Sequence, residues 1–311
     1  MELRAAFQAR WLRIWAAIVS DTSLQDYALC PSGTPARCKF GSQPVVRGPD
    51  DQAVYRCGTC GLGVTRPAMP DPSSLYSDRT SQNFLTYDTR LADRLKRIMF
   101  RRTARAIISK APATPGLWLD FGCGNGALTS AFAAELFGQT SVVGLDFFQE
   151  RPSKIGSAKY ASYSKMGAFL EKADVVTCFH VVEHDDNAPD FLGRLKSLLR
   201  PGGLLVLEVP NIDCVWTPWF GDSCDNWAMP FHRLHFSRVA LRQAVEAAGL
   251  EVVGEENVLA ATTANSLARL FGLPFGGLSF LAALMLYPLQ WIAEKVTGRG
   301  SGLRIYAIKP A

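Results

Sequence analysis

No single charge dominates this chain. Its 311 residues carry 33 Lys and Arg against 28 Asp and Glu, a net charge of +5 with both signs spread along the sequence. A nucleic-acid binder is therefore not favoured by composition, since it normally concentrates a basic field on one face. No charged, apolar and small-residue succession of a secretory leader opens the sequence, so a cytoplasmic, reducing setting is expected. The eight cysteines are scattered, and some of them are expected to serve a metal. The glycine-rich turn at Gly122, Gly124 and Gly126 lacks the GxGxxG spacing that seats a dinucleotide pyrophosphate on a helix N-terminus. What the chain does have is apolar substance, 48% by residue, ample for one large domain or a core domain with an appendage.

The chain is organised around LDFGCGNG, Leu119 to Gly126. Leu117, Trp118 and Leu119 make a short apolar run fit for a buried parallel strand. Asp120 closes it, three alternate glycines follow, and Ala127 to Leu136 reads as a helix. Glycine is required there because the backbone turns sharply and lets a ligand approach with no Cβ in the way. An acid before the turn repels a phosphate but suits the ammonium of an amino acid. The next strand, Ser141 to Leu145, ends at Asp146, placed to accept both ribose hydroxyls of an adenosine.

These motifs resemble those of class I S-adenosylmethionine-dependent methyltransferases. LDFGCGNG is similar to their first motif, and GLDFF, Gly144 to Phe148, to the acidic end of their second strand. FHVVEHDDN, Phe179 to Asn187, and the following FLGRLKSLLRPGGLLVLEVPN are similar to the segment after strand four and the turn into strand five. The resemblance covers roughly Thr114 to Val258. It implies an α/β, Rossmann-like, seven-stranded sheet whose last strand is antiparallel. It implies S-adenosylmethionine as cofactor, held by Asp120, Gly122, Cys123, Gly124, Gly126, Asp146, Phe147 and Phe179. An acid after strand three, which commonly meets the adenine, has no clear counterpart; Ser162 or Ser164 would stand in. Target-base motifs of the NPPY or DPPY type are absent, which again makes nucleic acid an unlikely substrate.

Ahead of the core, Phe7, Trp11, Ile14 and Ile18 recur at helical spacing with Arg4, Arg10 and Arg13 elsewhere on the wheel. Residues 1–24 are expected to form an amphipathic helix that lies on an anionic membrane or packs on the body or a second subunit. Residues 25–70 hold Cys57 and Cys60 in a CxxC knuckle, half of a tetrahedral zinc site, with Cys30 and Cys38 as the other half. The segment resembles the zinc-ribbon module that precedes many sugar- and glycan-modifying methyltransferases. It departs from that pattern at the first knuckle, so a metal-free ribbon is the alternative. Residues 71–112 form a linker and a basic helix, Thr89 to Lys110, either solvated or facing anionic groups. Tyr76 and Tyr87 are candidates to line the cleft.

Residues 113–311 make up the methyltransferase domain. His180, Glu183 and His184 follow strand four at the carboxyl edge of the sheet, where such folds bind ligands. His180, His184 and His232 are the candidate general bases, because imidazole titrates near neutrality; local architecture is the competing role for the EH pair. A long insert, Asn211 to His235, is rich in Trp and His, and its closing PFHRLHFS resembles the Methyltransf_23 branch of the class. From Leu270 to Ala293 no charge occurs. Gly and Pro interrupt this stretch, so an interfacial helical hairpin (residues 267–296) inserted before the last strand, or packing in an oligomer, is expected rather than a span. The expected reaction is methyl transfer to oxygen or carbon of a sugar or glycan intermediate, lipid-linked and at the cytoplasmic face of a membrane. The alternatives are a lipid quinone or other lipophilic small-molecule acceptor, or a cofactor-binding scaffold without turnover.

Overall fold

The computed structural model describes residues 40–67, 90–138, 140–273 and 277–311. The expected N-terminal helix, Cys30, Cys38, Tyr76 and Tyr87 lie outside the described residues. Two hairpin strands, β1 (Val46–Arg47) and β2 (Ala53–Arg56), lead to β3 (Gly63–Arg66), and then comes helix α1 (Arg90–Ile108). The core runs β4 (Leu117–Phe121), α2 (Ala127–Glu135), β5 (Ser141–Asp146), β6 (Lys159–Ser162), β7 (Ala173–Phe179), α3 (Ala188–Leu198) and β8 (Leu199–Pro210). After it stand the short α4 (Thr217–Phe220), β9 (Leu234–His235), α5 (Arg238–Ala247), β10 (Glu251–Val258), α6 (Thr262–Leu270), α7 (Gly277–Thr297) and β11 (Gly302–Ile308).

The large sheet has seven strands in the order β10-β11-β8-β7-β4-β5-β6. Only β11 runs antiparallel within it. Alternation along the strands explains why both faces carry helices. Trp118, Val142, Val175, Leu204 and Val206 face one side and pack with Ile107 of α1 and Phe132 of α2. Their neighbours Leu119, Val143, Val176, Leu205 and Leu207 face the other and pack with Leu192 and Leu195 of α3 and Leu241 of α5. Trp118 and Phe132 stack with centroids 4.7 Å apart, each worth about 1.5–3 kcal/mol of burial. Chain order reverses between β4 and β7, and that point opens a crevice at the strands' carboxyl ends.

The cysteine-bearing segment is not a separate bead. β3 pairs with β9, which comes from the insert of the main domain, so a four-stranded antiparallel sheet β1-β2-β3-β9 joins the two. Arg56 pairs with Asp213 at 2.7 Å. The Ser237 hydroxyl donates to the Cys60 carbonyl at 2.9 Å while accepting from Ala240 N–H as the N-cap of α5.

The apolar insertion is a pair of packed helices, α6 and α7, beginning somewhat before the stretch expected from sequence. Its inner side is polar. Gln290 accepts from Thr263 Oγ1 at 2.6 Å and donates to Glu294 at 2.7 Å. Glu294 also receives Trp216 Nε1 at 3.0 Å and Ser301 N–H at 2.8 Å. The apolar residues Leu284, Met285, Leu289, Trp291, Ile292 and Val296 point outward and are exposed. Among the described residues no helix is long and apolar enough to cross a membrane.

Candidate active site

The glycine turn sits between β4 and α2 at the switch point. Gly122, Gly124 and Gly126 all have positive φ, at 74°, 53° and 80°. A Cβ on Gly126 would stand 2.5 Å from Ile155 Cβ and 2.7 Å from its Cα, and one on Gly122 would collide with Val181. The turn thus lies directly against the segment that follows β7. Cys123 is buried within it, in contact with the backbone at Gly144.

Asp146 closes β5 beside this turn. Its Oδ2 accepts Gly124 N–H at 2.7 Å and its Oδ1 accepts Phe147 N–H at 2.7 Å. A third backbone N–H, of Phe148, also favours the ionised carboxylate. Burial pushes the carboxyl up to about 6. Asp120 differs from its expected role. Its Oδ2 receives the Thr129 hydroxyl at 2.6 Å and its Oδ1 the Thr177 hydroxyl at 2.8 Å, so it braces strand to helix from behind the turn. Burial raises this carboxyl also, to about 6. Phe147 is 46% exposed, on the rim rather than in the wall. Phe179 ends β7 with the Arg304 guanidinium 5.5 Å from its ring centre. Ser162 and Ser164 bond each other at 2.7 Å at the end of β6, and Tyr163 stacks on Phe121 at 4.6 Å.

All four histidines of the chain gather after β7 and in the insert. His180, with φ of 56°, lies between two carboxylates, 3.3 Å from Glu183 and 3.2 Å from Glu208. Burial by itself would lower its pKa, but the two carboxylates outweigh that and push the imidazole up to about 10. An imidazolium already protonated at neutral pH cannot accept a proton, which removes His180 as a general base. Glu208 is held in turn by Arg304 at 2.5 Å, and Arg304 reaches Glu256 at 2.7 Å. This buried chain of charges fixes β8, β11 and β10 together.

His184 and His232 meet edge to face with centroids 5.0 Å apart. His184 Nδ1 donates to Phe231 O at 2.9 Å, and His232 Nδ1 donates to Asn226 O at 3.1 Å. Burial pushes His232 down to about 4, so its ring is neutral. His235 Nε2 bonds Thr65 Oγ1 at 2.8 Å, joining insert to β3. The principal organiser was missed from sequence. Arg233, 1% exposed, donates its backbone N–H to Glu183 O at 2.7 Å and its guanidinium to Asp186, Thr65 O and Pro67 O. It pins the post-β7 loop, the insert and β3 at one point. An arginine inside an aromatic loop was the only available signal.

Cys57 and Cys60 are buried, and Thr59 N–H points at Cys57 Sγ at 3.4 Å, as a knuckle requires. The described residues thus offer two thiols, half of a tetrahedral set.

A seven-stranded sheet with one antiparallel strand, a glycine turn at the switch point and an acid closing the next strand define a class I methyltransferase fold. Residues 90–255, over half the chain, match the family described as a methyltransferase domain, Methyltransf_23, and the chain belongs to that family. A probable S-adenosylmethionine-dependent methyltransferase of Mycolicibacterium smegmatis is 26% identical over 142 residues, 43% of this chain and 51% of that protein. A ubiquinone biosynthesis O-methyltransferase of Bradyrhizobium sp. is 36% identical over 105 residues, 30% of this chain and 39% of that protein. The chain spans about half the length, or less, of these curated relatives. Among solved structures, an S-adenosylmethionine-dependent methyltransferase from Archaeoglobus fulgidus is similar with a TM-score of 0.45 and 17% identity, covering 68% of this chain and 94% of that one.

Proposed function

We propose that this protein transfers a methyl group from S-adenosylmethionine to an oxygen of a lipophilic small molecule, at a membrane surface. The observation that carries the reading is the juxtaposition at the switch point of a left-handed glycine turn, the buried carboxylate of Asp146 and the histidines after β7. The buried Asp146 carboxylate, at the end of β5 beside the turn, accepts from the ribose hydroxyls. The Gly122–Gly126 turn would hold the methionine portion through its backbone, with Asp120 bracing it through Thr129 and Thr177. The cofactor supplies an electrophilic sulfonium methyl. The protein then has to orient the acceptor, exclude water and take charge of one proton. The acceptor oxygen bonds to the methyl carbon as the carbon–sulfur bond breaks, and its proton leaves by way of the Glu183–His184–His232 group.

The lipophilic acceptor, rather than a glycan, is favoured by the O-methyltransferase relatives and by the outward apolar side of α7. A helix whose polar residues face inward and whose Leu, Trp and Ile face outward suits the headgroup boundary of a bilayer. Cys57 and Cys60, completed by Cys30 and Cys38, would hold a structural zinc ion in this reading. The glycan reading had rested on that module alone. Calorimetric titration with S-adenosylhomocysteine should show micromolar binding. Purified protein given radiolabelled cofactor should then label a prenylated phenol and not an oligosaccharide. Folded protein that binds no S-adenosylhomocysteine overturns the cofactor reading, and label entering the sugar overturns the acceptor reading. Flotation with anionic liposomes tests the membrane surface, with loss on Trp291→Glu and Ile292→Glu substitution expected; protein that stays at the bottom of the gradient argues for a second copy covering α7.

A further inference from the structure

Two thiols meet in the insert. Cys214 and Cys224 flank α4 and are both buried. They belong to a small third core with Val46 and Val54 of the hairpin, Ile212 and Trp227. A buried cysteine in such a core ordinarily acts as a small apolar side chain. These two differ in what they touch. The Thr217 hydroxyl meets Cys214 Sγ at 3.2 Å and Cys224 Sγ at 3.8 Å. Asn226 Nδ2 donates to Cys214 Sγ at 3.6 Å. The two thiols also hydrogen-bond each other, and that bond, with the Thr217 hydroxyl, draws the Cys214 thiol down while the same bond raises that of Cys224. One sulfur is thus set to carry the negative charge and the other to hold the proton.

The chain on either side of the pair is anchored. Before it, Asn211 N–H donates to Ser301 O at 3.0 Å and Ile212 N–H to Phe236 O at 3.1 Å. After it, Asp225 N–H donates to Ser266 Oγ at 2.9 Å, and the Asp225 carboxylate accepts from Asn265 and Arg269 of α6. The approach of one sulfur to the other, to about 2.05 Å in a disulfide, therefore starts from hydrogen-bond contact between held residues. Cys224 also lines a cavity of about 220 Å³, shared with Arg47, Pro49, Asp222, Trp227 and Met229. Arg47, Pro49 and Asp222 are exposed, so solvent reaches it. A water molecule takes up about 30 Å³ of liquid, and the cavity has room for several, or for a small hydroperoxide.

We propose that Cys214 and Cys224 form a reversible disulfide on exposure to a small hydroperoxide, closing the insert around α4. Cys224, at the cavity, attacks a peroxide oxygen as its proton passes to Cys214. A sulfur–oxygen bond forms, the oxygen–oxygen bond breaks, and Cys224 becomes a sulfenic acid. With hydrogen peroxide the hydroxide released takes the proton back from Cys214 and leaves as water. The Cys214 thiolate then attacks the sulfur of the sulfenic acid. The sulfur–sulfur bond forms, the sulfur–oxygen bond breaks, and a second water leaves with a proton from solvent. Two thiols are oxidised and the peroxide is reduced to two waters. The new bond ties the exit of β8 to the stretch just before Asn226, whose carbonyl orients His232. It encloses α4, with its exposed Trp219 and the Trp216 bond to Glu294, in a covalent loop.

Peptide mapping reads the bond directly. Trypsin leaves Cys214 and Cys224 together on the peptide that ends at Arg233, apart from the other cysteines. The folded protein is treated with hydrogen peroxide and then with N-ethylmaleimide. That peptide should lose two hydrogens and take no maleimide, and dithiothreitol should restore both thiols. In Cys214→Ser, Cys224 should stop at the sulfenic acid and be trapped by dimedone; in Cys224→Ser, Cys214 should stay a thiol. Thermal unfolding shows that each variant is folded. Hydrogen exchange of residues 215–223 should slow about tenfold or more in the oxidised protein, because a cross-link removes open states. Both thiols alkylated after peroxide, or a bond that forms only in urea-unfolded protein, overturns the proposal, as does exchange that does not slow.

Discussion

Asp146→Ala isolates the strongest claim about the cofactor side. The Asp146 carboxylate accepts two backbone N–H bonds of 2.7 Å, and the proposed function gives it the two ribose hydroxyls as well. Each hydrogen bond to a charged group is worth about 1.5–3 kcal/mol, so removing two weakens S-adenosylhomocysteine by about 3–6 kcal/mol, roughly 10²- to 10⁴-fold in affinity. The scaffold should suffer less. Gly124 and Phe147 N–H lie at the mouth of the turn, where water replaces the carboxylate, and a costly buried charge is removed with it. Calorimetric titration at pH 7.5, with thermal unfolding of the same samples, reads both quantities. An affinity within about threefold of the parent protein, at unchanged midpoint, would refute the assignment of Asp146 to the ribose.

Binding should also depend on pH. Burial raises Asp146 to about 6 in the free protein, and the ribose needs the ionised form. Affinity for S-adenosylhomocysteine should therefore be level above pH 6 and fall about tenfold per unit below it; a flat profile down to pH 5 would contradict this. The same raised pKa makes ionisation of Asp146 and Asp120 cost stability as pH climbs from near 4 to about 6, so cofactor should raise the unfolding midpoint more at pH 7.5 than at pH 5. Gly126→Ala forces a Cβ to 2.5 Å from Ile155 at φ of 80°, and should cost about 2–5 kcal/mol in chemical denaturation; a loss under about 0.5 kcal/mol would show that the turn relaxes freely. His180 has its pKa raised from 6.5 to about 10, so its ion pairs stabilise the fold fully below pH 6.5 and are lost as pH rises through 10. His180→Gln should flatten the alkaline decline of the unfolding midpoint, and an unaltered decline would place it elsewhere.

The β4 turn, the Asp146 terminus of β5, α3 and α5 were legible because each rests on local rules, whereas the antiparallel β11 was implied by the resemblance to the methyltransferase class. Glycines at alternate positions demand positive φ, apolar runs make buried strands, and Asn187 and Ser237 cap the helices that follow them. The seven-stranded sheet followed from the resemblance of those motifs to the methyltransferase class. Roles that depend on distant partners were not legible. Asp120 read as a ligand contact because nothing local announces that Thr129 and Thr177 fill its oxygens. His180 read as a base because Glu208, its second carboxylate, is 28 residues away. The outward apolar side of α7 was read as a hydrophobic stretch without knowing which side packs, since Gln290 and Glu294 find their partners on α6, the insert and β11's approach. The cysteine segment, an appendage by composition, is tied to the main domain by the β3–β9 pairing and by Arg233. Sequence by itself determined the local elements, through periodicity and backbone sterics that act within a few residues, and its motifs resembled a class whose sheet the structure shares. Tertiary structure alone decided which polar groups serve the fold, as Asp120 does through Thr129 and Thr177 and His180 through Glu183 and Glu208, because electrostatic and hydrogen-bond partners are chosen by distance in space.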